Sequence, residues 1–439
     1  MKKGLRRLSR SPTFRAVLVL SSGTISAQVA NLLAAPVLSR LYSPSDFGVL
    51  ATYISLSAFL ILASTGAYEY AVVLPDDDRR AGSVAAVGLL CVLLVSGLTA
   101  TIALLLWIVS TQSLSTPSVG VLLVTMPITV LVGGTVAIFT GWALRAGDFR
   151  KIAFTTTTRQ FVAISVQVGF GLVKPSPIGL VLGALLGYGS ASLRLGRTLI
   201  RDLVKERRTV PELTQSAKEF VRFPRSSMPS SLMNAGFVQG TPLVIGVLFG
   251  ASVLGVWFMT QRLLTLPAAL VGRAVSQAYF RRANEVRGSS AQSRLLFDRA
   301  VLHLAAISIA PFTIIGLVSP WLFSTLLGPA WTDAGVYARI MLPMVWLRFV
   351  ASPTETTNMV AGRNSLSLLT KGSQLAALIL VAVGTQLLEL SFIQFLSVLS
   401  LTISVLLVMT ILLNRWAVSN GRFATEEPSS TGLDTDASG

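Results

Sequence analysis

The stretch Arg197–Arg225, RTLIRDLVKERRTVPELTQSAKEFVRFPR, decides the architecture, because it is the longest polar interruption in an otherwise oily chain of 439 residues. On both sides of it, apolar runs of about 20 residues recur, each long enough to cross a hydrocarbon core of about 30 Å. Twelve such runs stand out: 16–38, 47–66, 82–109, 119–142, 152–173 and 178–198 before the interruption, then 227–249, 253–278, 297–319, 334–354, 366–388 and 391–413 after it. Ser64 to Leu74 offers an extension of the second. The predicted fold is an all-α polytopic membrane protein of two six-helix bundles, related by a pseudo-two-fold along the membrane normal. Residues 1–198 form the first bundle, 199–226 a basic linker, 227–416 the second bundle and 417–439 a polar, disordered tail.

Composition agrees. Apolar residues make up 52% of the chain and charged residues 13%, outside the range of ordinary soluble domains. The first run is too long for the apolar core of a leader and contains Gln28 and Asn31, so it reads as an uncleaved helix. With the N-terminus in the cytoplasm, strict alternation places 28 of the 36 Lys and Arg on the cytoplasmic side and only Arg40 and Lys174 outside. That bias is the positive-inside pattern. It makes the net charge of +17 a topogenic signal facing anionic headgroups, with no nucleic acid required.

The remaining six cations lie within the apolar runs: Arg159, Arg194, Arg262, Arg273, Arg339 and Arg348. A charge at mid-bilayer costs about 2.5–3.5 kcal/mol even on insertion scales, so each should face protein or water. Glu69 and Glu355 are the carboxylates at comparable depth. A cationic interior suits an anionic passenger. In the eighth run Arg262 and Arg273 stand about three turns apart on one face, with Thr265 and Ser276 beside them and Pro267 as a kink. Arg159 and Gln160 lie in the fifth run, with Gln167 two turns further. Arg348 in the tenth run shares a face with Ser352 and Glu355, which reads either as a structural ion pair or as a gate or ion-coupled site. Arg194 and Arg339, near helix ends, are expected to snorkel.

Polar stripes run along the first span (Ser21, Thr24, Gln28, Asn31) and the seventh (Ser227, Ser231, Asn234). Each residue reads equally as interhelical hydrogen bonding or as cavity lining; their recurrence on corresponding helices favours the cavity. Gly179, Gly183 and Gly187 form a ridge for close helix packing. A weak echo between Pro36–Gly48, PVLSRLYSPSDFG, and Pro242–Gly255, PLVIGVLFGASVLG, supports a parallel repeat with a site between the halves.

Catalytic signals are few. Cys91, the one cysteine, has no intrachain partner, so internal disulfides are excluded. His303, the one histidine, opens the ninth run at the interface. Metal-ligand clusters and phosphate loops are not found, and neither a cofactor nor a metal is expected. A glycan polymerase predicts a large outer loop that this chain lacks. A multidrug cation exporter predicts buried carboxylates, against the excess of arginine. Both stay as rival readings.

The chain also resembles the Wzx-type oligosaccharide-lipid flippases of bacteria, within the superfamily that holds multidrug-and-toxin exporters and the lipid II flippase. The resemblance spans nearly the whole chain. It rests on Pro36–Gly48, on YEYAVVLP at Tyr68–Pro75, on FPRSSMPSSLMN at Phe223–Asn234, on FGASVLGVWFMTQR at Phe249–Arg262, and on LGPAWTDAGVYARIMLP at Leu327–Pro343. It implies a V-shaped two-bundle transporter of the bacterial inner membrane. The implied passenger is an undecaprenyl-pyrophosphate-linked glycan for surface polysaccharide such as lipopolysaccharide O-antigen or capsule. Membrane lipids, a polysaccharide polymerase and a chain-length regulator are the candidate partners. On this reading Arg159, Arg262 and Arg348 hold the pyrophosphate, Arg273 guards the inner mouth, and Gln28, Asn31 and Asn234 line the path. Glu69 and Glu355 are candidates for gating or ion coupling.

Overall fold

The computed structural model describes residues 12–109, 117–205, 208–285, 290–360 and 364–420, which are helical with short connections and no strand among them. The side chains of 266–285 and 352–360, including Pro267, Arg273, Ser276, Ser352 and Glu355, lie outside the described residues, as does the tail beyond 420.

Helix α1 is Pro12–Leu41, α2 Pro44–Ser64, α3 the short Tyr68–Ala71, α4 Asp78–Val109, α5 Pro117–Arg145, α6 Phe149–Val173 and α7 Pro177–Lys205. The connection holds α8, Val210–Glu219, and a π-helical turn, Phe223–Ser227. Then come α9, Met228–Glu285, α10, Ser290–Leu327, α11, Asp333–Val360, α12, Asn364–Leu387, and α13, Phe392–Asn420. Helix α9 is two spans: Gly250, at φ 83° and ψ 172°, breaks it into 228–249 and 251–285. Only glycine takes that backbone freely. Among the described residues, each of the twelve apolar runs therefore has its own long helical segment, six before the connection and six after. Several helices outrun their apolar cores. Helix α10 begins at Ser290, so His303 sits well inside it, exposed, and not at its start.

One end of the bundles carries the tight turns at 42–43, 174–176, 250, 328–332 and 388–391; the opposite end carries the connection with α8. At the turn end the sequence SPSD is a helix start. Ser43 caps α2, Pro44 takes the first helical position, and Asp46 accepts from the Ser43 N–H at 3.0 Å while its own N–H reaches Ser43 Oγ at 3.3 Å. Gly48 and Gly255 then let the halves touch backbone to backbone. A Cβ on Gly48 would enter the Ala251 carbonyl, and one on Gly255 the Pro44 carbonyl. The Gly328 turn (φ 98°) and the 3₁₀ turn Pro329–Trp331 drive the Trp331 ring, 0% exposed, onto Phe47 at 5.3 Å, edge to face. Its Nε1–H donates to the Ser39 carbonyl at 3.0 Å.

The cores follow this division. One core at the turn end joins Ala34, Leu38, Phe47 and Leu50 of the first half to Trp257, Trp331 and Phe395 of the second. At the connection end the halves keep separate cores. Tyr68, Ile138, Phe139, Trp142 and Leu199 pack with Phe223 of the connection, while Phe297 packs with Val418 in the other half. Two bundles fused at one end and separately packed at the other make the V.

Candidate functional site

Three of the intramembrane arginines lie in one layer. Counted from the turn end at the helical rise, Arg262 is about 18 Å deep, and Arg159 and Arg348 about 21–22 Å. Asn31 on α1 lies at about 15 Å by the same measure. The helices place them from different directions: α6 brings Arg159 and Gln160, the second part of α9 brings Arg262, and α11 brings Arg348.

Their partners are soft. Arg159 lies over the Tyr188 ring of α7, with Cζ 3.6 Å from the centroid. Arg348 lies over the Phe237 ring of α9 at 5.2 Å. Such contacts contribute about 0.5–2 kcal/mol depending on how dry they are. Arg262 does something different. Its Nη2 donates to Asn31 Oδ1, across the boundary between the halves, and the same oxygen accepts from Gln160 Nε2 at 2.7 Å. The structure thus brings together Asn31, Gln160 and Arg262. Gln28 is half-buried on the same stripe of α1, and Asn234 is exposed on α9. Tyr188 and Phe237 were not singled out in the sequence, where nothing distinguishes an aromatic ring under a guanidinium from one in a core.

Other positions depart from expectation. Arg339 does not snorkel. It crosses to α10 and donates from Nε to the Gly316 carbonyl at 3.0 Å and from Nη2 to the Leu317 carbonyl at 3.2 Å. Arg194 rests over the Phe154 ring at 4.4 Å, tying α7 to α6. Gln167 is buried structure: its Nε2 donates to the Leu180 carbonyl at 3.0 Å, and its own carbonyl accepts from Tyr42 Oη at 2.6 Å. Beside it, Gly183 and Gly187 let α7 pack against the α6 carbonyls of Ala163 and Arg159.

Glu69 belongs to the separate helix α3 and not to the end of the second span. It follows Gly66 and Ala67, both in the left-handed region at φ 59° and 61°. Its Oε2 is buried with no hydrogen-bond partner among the described residues. Arg79 is engaged elsewhere, with Glu212 of α8 at 2.8 Å. Glu212 Oε2 also accepts from the Thr209 N–H at 3.2 Å, closing a capping box on α8. That N–H first, and Arg79 after it, hold the Glu212 carboxyl below its ordinary value. No group of three or more metal-ligating side chains occurs among the described residues.

Comparison with known proteins fits this geometry. The family described as "Polysaccharide biosynthesis protein" matches residues 37–335. Amylovoran biosynthesis protein AmsL of Erwinia amylovora is 25% identical over 252 residues, which is 57% of this chain and 64% of that protein. Among solved structures, the inward-facing conformation of a multidrug resistance MATE family transporter of the MOP superfamily superposes with a TM-score of 0.68 at 15% identity, covering 91% of this chain and 98% of the other. The outward-facing conformation of such a transporter gives 0.58 at 16% identity, over 96% and 99%. The fold is shared with these transporters, and the stretch matched by the family begins and ends in the two turn-end motifs that join the halves. The chain belongs to the polysaccharide biosynthesis protein family, as its resemblance to the Wzx-type flippases implied.

Proposed function

We propose that this protein flips a polyprenyl-pyrophosphate-linked oligosaccharide from the cytoplasmic to the outer leaflet of a bacterial inner membrane, for surface polysaccharide synthesis. The single observation that carries the reading is the layer of Arg159, Arg262 and Arg348 at mid-depth, held by rings and an amide. Moving an unshielded ion into hydrocarbon costs of order 20 kcal/mol in the Born limit. Guanidinium groups in a gap between the halves replace the lost solvent for the diphosphate, while the polyprenyl tail stays in lipid. The basic connection end faces the cytoplasm on this reading, and the turn end faces out. Each negative charge moved outward then gains about 2.3 kcal/mol per 100 mV, so roughly two charges gain about 4–5 kcal/mol. Residues 1–198 and 227–416 rock about the linker 199–226 to give alternating access.

The test is a deletion strain examined for lipid-linked oligosaccharide accumulating on the inner leaflet. Wild-type protein should clear it; Arg262→Ala and Arg159→Ala, at equal protein levels, should not. Normal surface-glycan export by both variants would refute the site. Drug resistance on expression, without any effect on glycan export, would favour the multidrug exporter instead.

A further inference from the structure

We propose that Asn31 stands in for the passenger's anionic group: its carboxamide oxygen holds Arg262 across the boundary between the halves, and an oxyanion that takes Arg262 releases α1 from the second part of α9. The inference rests on the flippase reading and adds to it the step that couples binding to movement.

Three observations support it. Asn31 Oδ1 receives two donors, Gln160 Nε2 from its own half and Arg262 Nη2 from the other. A carboxamide oxygen has two lone pairs, so both are used. Gln160 therefore fixes which way the Asn31 amide turns, with its oxygen toward Arg262. Secondly, this is the deepest hydrogen bond between the halves among the described residues; the other, Trp331 to Ser39, lies at the turn end. Between them runs apolar packing of Ala34, Ala35 and Leu38. Thirdly, the bond is charged on one side only. The neutral amide satisfies one guanidinium N–H and leaves the charge uncompensated. A phosphate oxyanion brings the opposite charge that the amide lacks and takes the guanidinium in two places at once. The passenger therefore shifts the exchange toward release of Asn31. With Arg262 withdrawn, Asn31 keeps only the Gln160 bond within its own half.

The experiment uses the full chain in phosphatidylcholine nanodiscs, in a Cys91→Ala background, with spin labels at the exposed connection-end positions Arg201 and Arg294. Inorganic pyrophosphate is the probe. In the otherwise native protein, pyrophosphate should bind and shift the inter-label distance. Asn31→Ala should shift that distance without ligand and bind pyrophosphate about threefold or more tightly, since its competitor is gone. Asn31→Asp puts a carboxylate on Arg262; it should hold the distance fixed and weaken pyrophosphate binding by at least about tenfold. Gln160→Leu, a second variant that leaves both partners of the latch in place, should move the distance in the same sense as Asn31→Ala. If Asn31→Asp binds pyrophosphate like the native protein, or if Asn31→Ala changes neither distance nor affinity in a monodisperse sample, the latch is overturned while the flippase reading stands. If Arg262→Ala binds pyrophosphate undiminished, the site reading itself fails. Release in phosphatidylglycerol nanodiscs without pyrophosphate would assign Arg262 to bulk lipid headgroups and overturn passenger-specific release.

Discussion

The two halves meet in two unlike ways. At the turn end they touch backbone to backbone, with Gly48 against Ala251 and Gly255 against Pro44, and an indole wedged between. At mid-depth they touch through one amide and one guanidinium. The first contact is shape; almost no side chain other than glycine fits it. The second is chemistry, and a better anion can replace it. The difference teaches which contacts set the architecture and which respond to a passenger. It also places three of the stretches that carry the family resemblance. PVLSRLYSPSDFG, FGASVLG and LGPAWTDAG build the joint; the arginines sit beneath it.

The largest effect should come from Gly255→Leu. A side chain there meets the main chain of Pro44 and Gly48, which cannot rotate away. Overpacking of this kind costs about 1–3 kcal/mol or more. Glycan export should be lost, and a cysteine placed at the buried Ser39 should become reactive to a membrane-impermeant maleimide. Normal export with Ser39→Cys still protected would show that close approach is not what seals this end.

Next comes Arg159. Replacing it with lysine keeps the charge and removes the planar group over Tyr188. If the ring contact positions the charge, Arg159→Lys should lower export by roughly three- to tenfold, in line with a cation–π contact of about 1 kcal/mol. Arg159→Leu should lower it further. Equal export by Arg159 and Lys would reduce the site to a point charge.

Trp331→Phe sharpens the joint from the other side. It keeps an edge toward Phe47 and deletes the bond to the Ser39 carbonyl. A lost hydrogen bond of about 1 kcal/mol corresponds to roughly fivefold faster labelling of nearby buried positions, with the fold intact. No change in labelling would mean that apolar packing alone holds the joint.

The sequence showed the spans because hydrocarbon thickness imposes a length that composition cannot hide. The start of α2 lies at Pro44, three residues before the predicted 47, because Ser43 and Asp46 form a capping box there. The Asn31–Arg262 contact was hidden for a different reason: its members lie 231 residues apart, and each alone fits a stripe or a ladder. Arg339 departs from expectation because distance to the headgroups says nothing of the backbone carbonyls a neighbouring helix brings within reach. Those carbonyls come from Gly316 and Leu317, about one and a half turns after Pro311 and about one before Pro320 in a helix that carries proline twice. Helix α8 lies inside the basic linker 199–226, where Thr209, Pro211 and Glu212 spell a capping box.

That helix offers the smallest effect, and the one that separates the joint from the connection. Arg79–Glu212 is a surface pair, and such pairs contribute little. Yet Glu212 spends both oxygens, one on Arg79 and one on the start of its own helix. Its carboxyl is held below the ordinary value, so the stability it adds is present above that value and is lost as pH falls through the lowered one. Acidification below the usual carboxylate range, or Glu212→Gln at neutral pH, should therefore loosen the backbone of Val210–Glu219, read as faster hydrogen exchange there. Protection at Gly48 and Gly255 should not change. Leu213, Ala217 and Phe220 still pack on the first half through apolar contact, so the helix should fray at its start and stay docked. Loss of protection along the whole of α8 would mean that the pair, and not the apolar face, holds the connection in place.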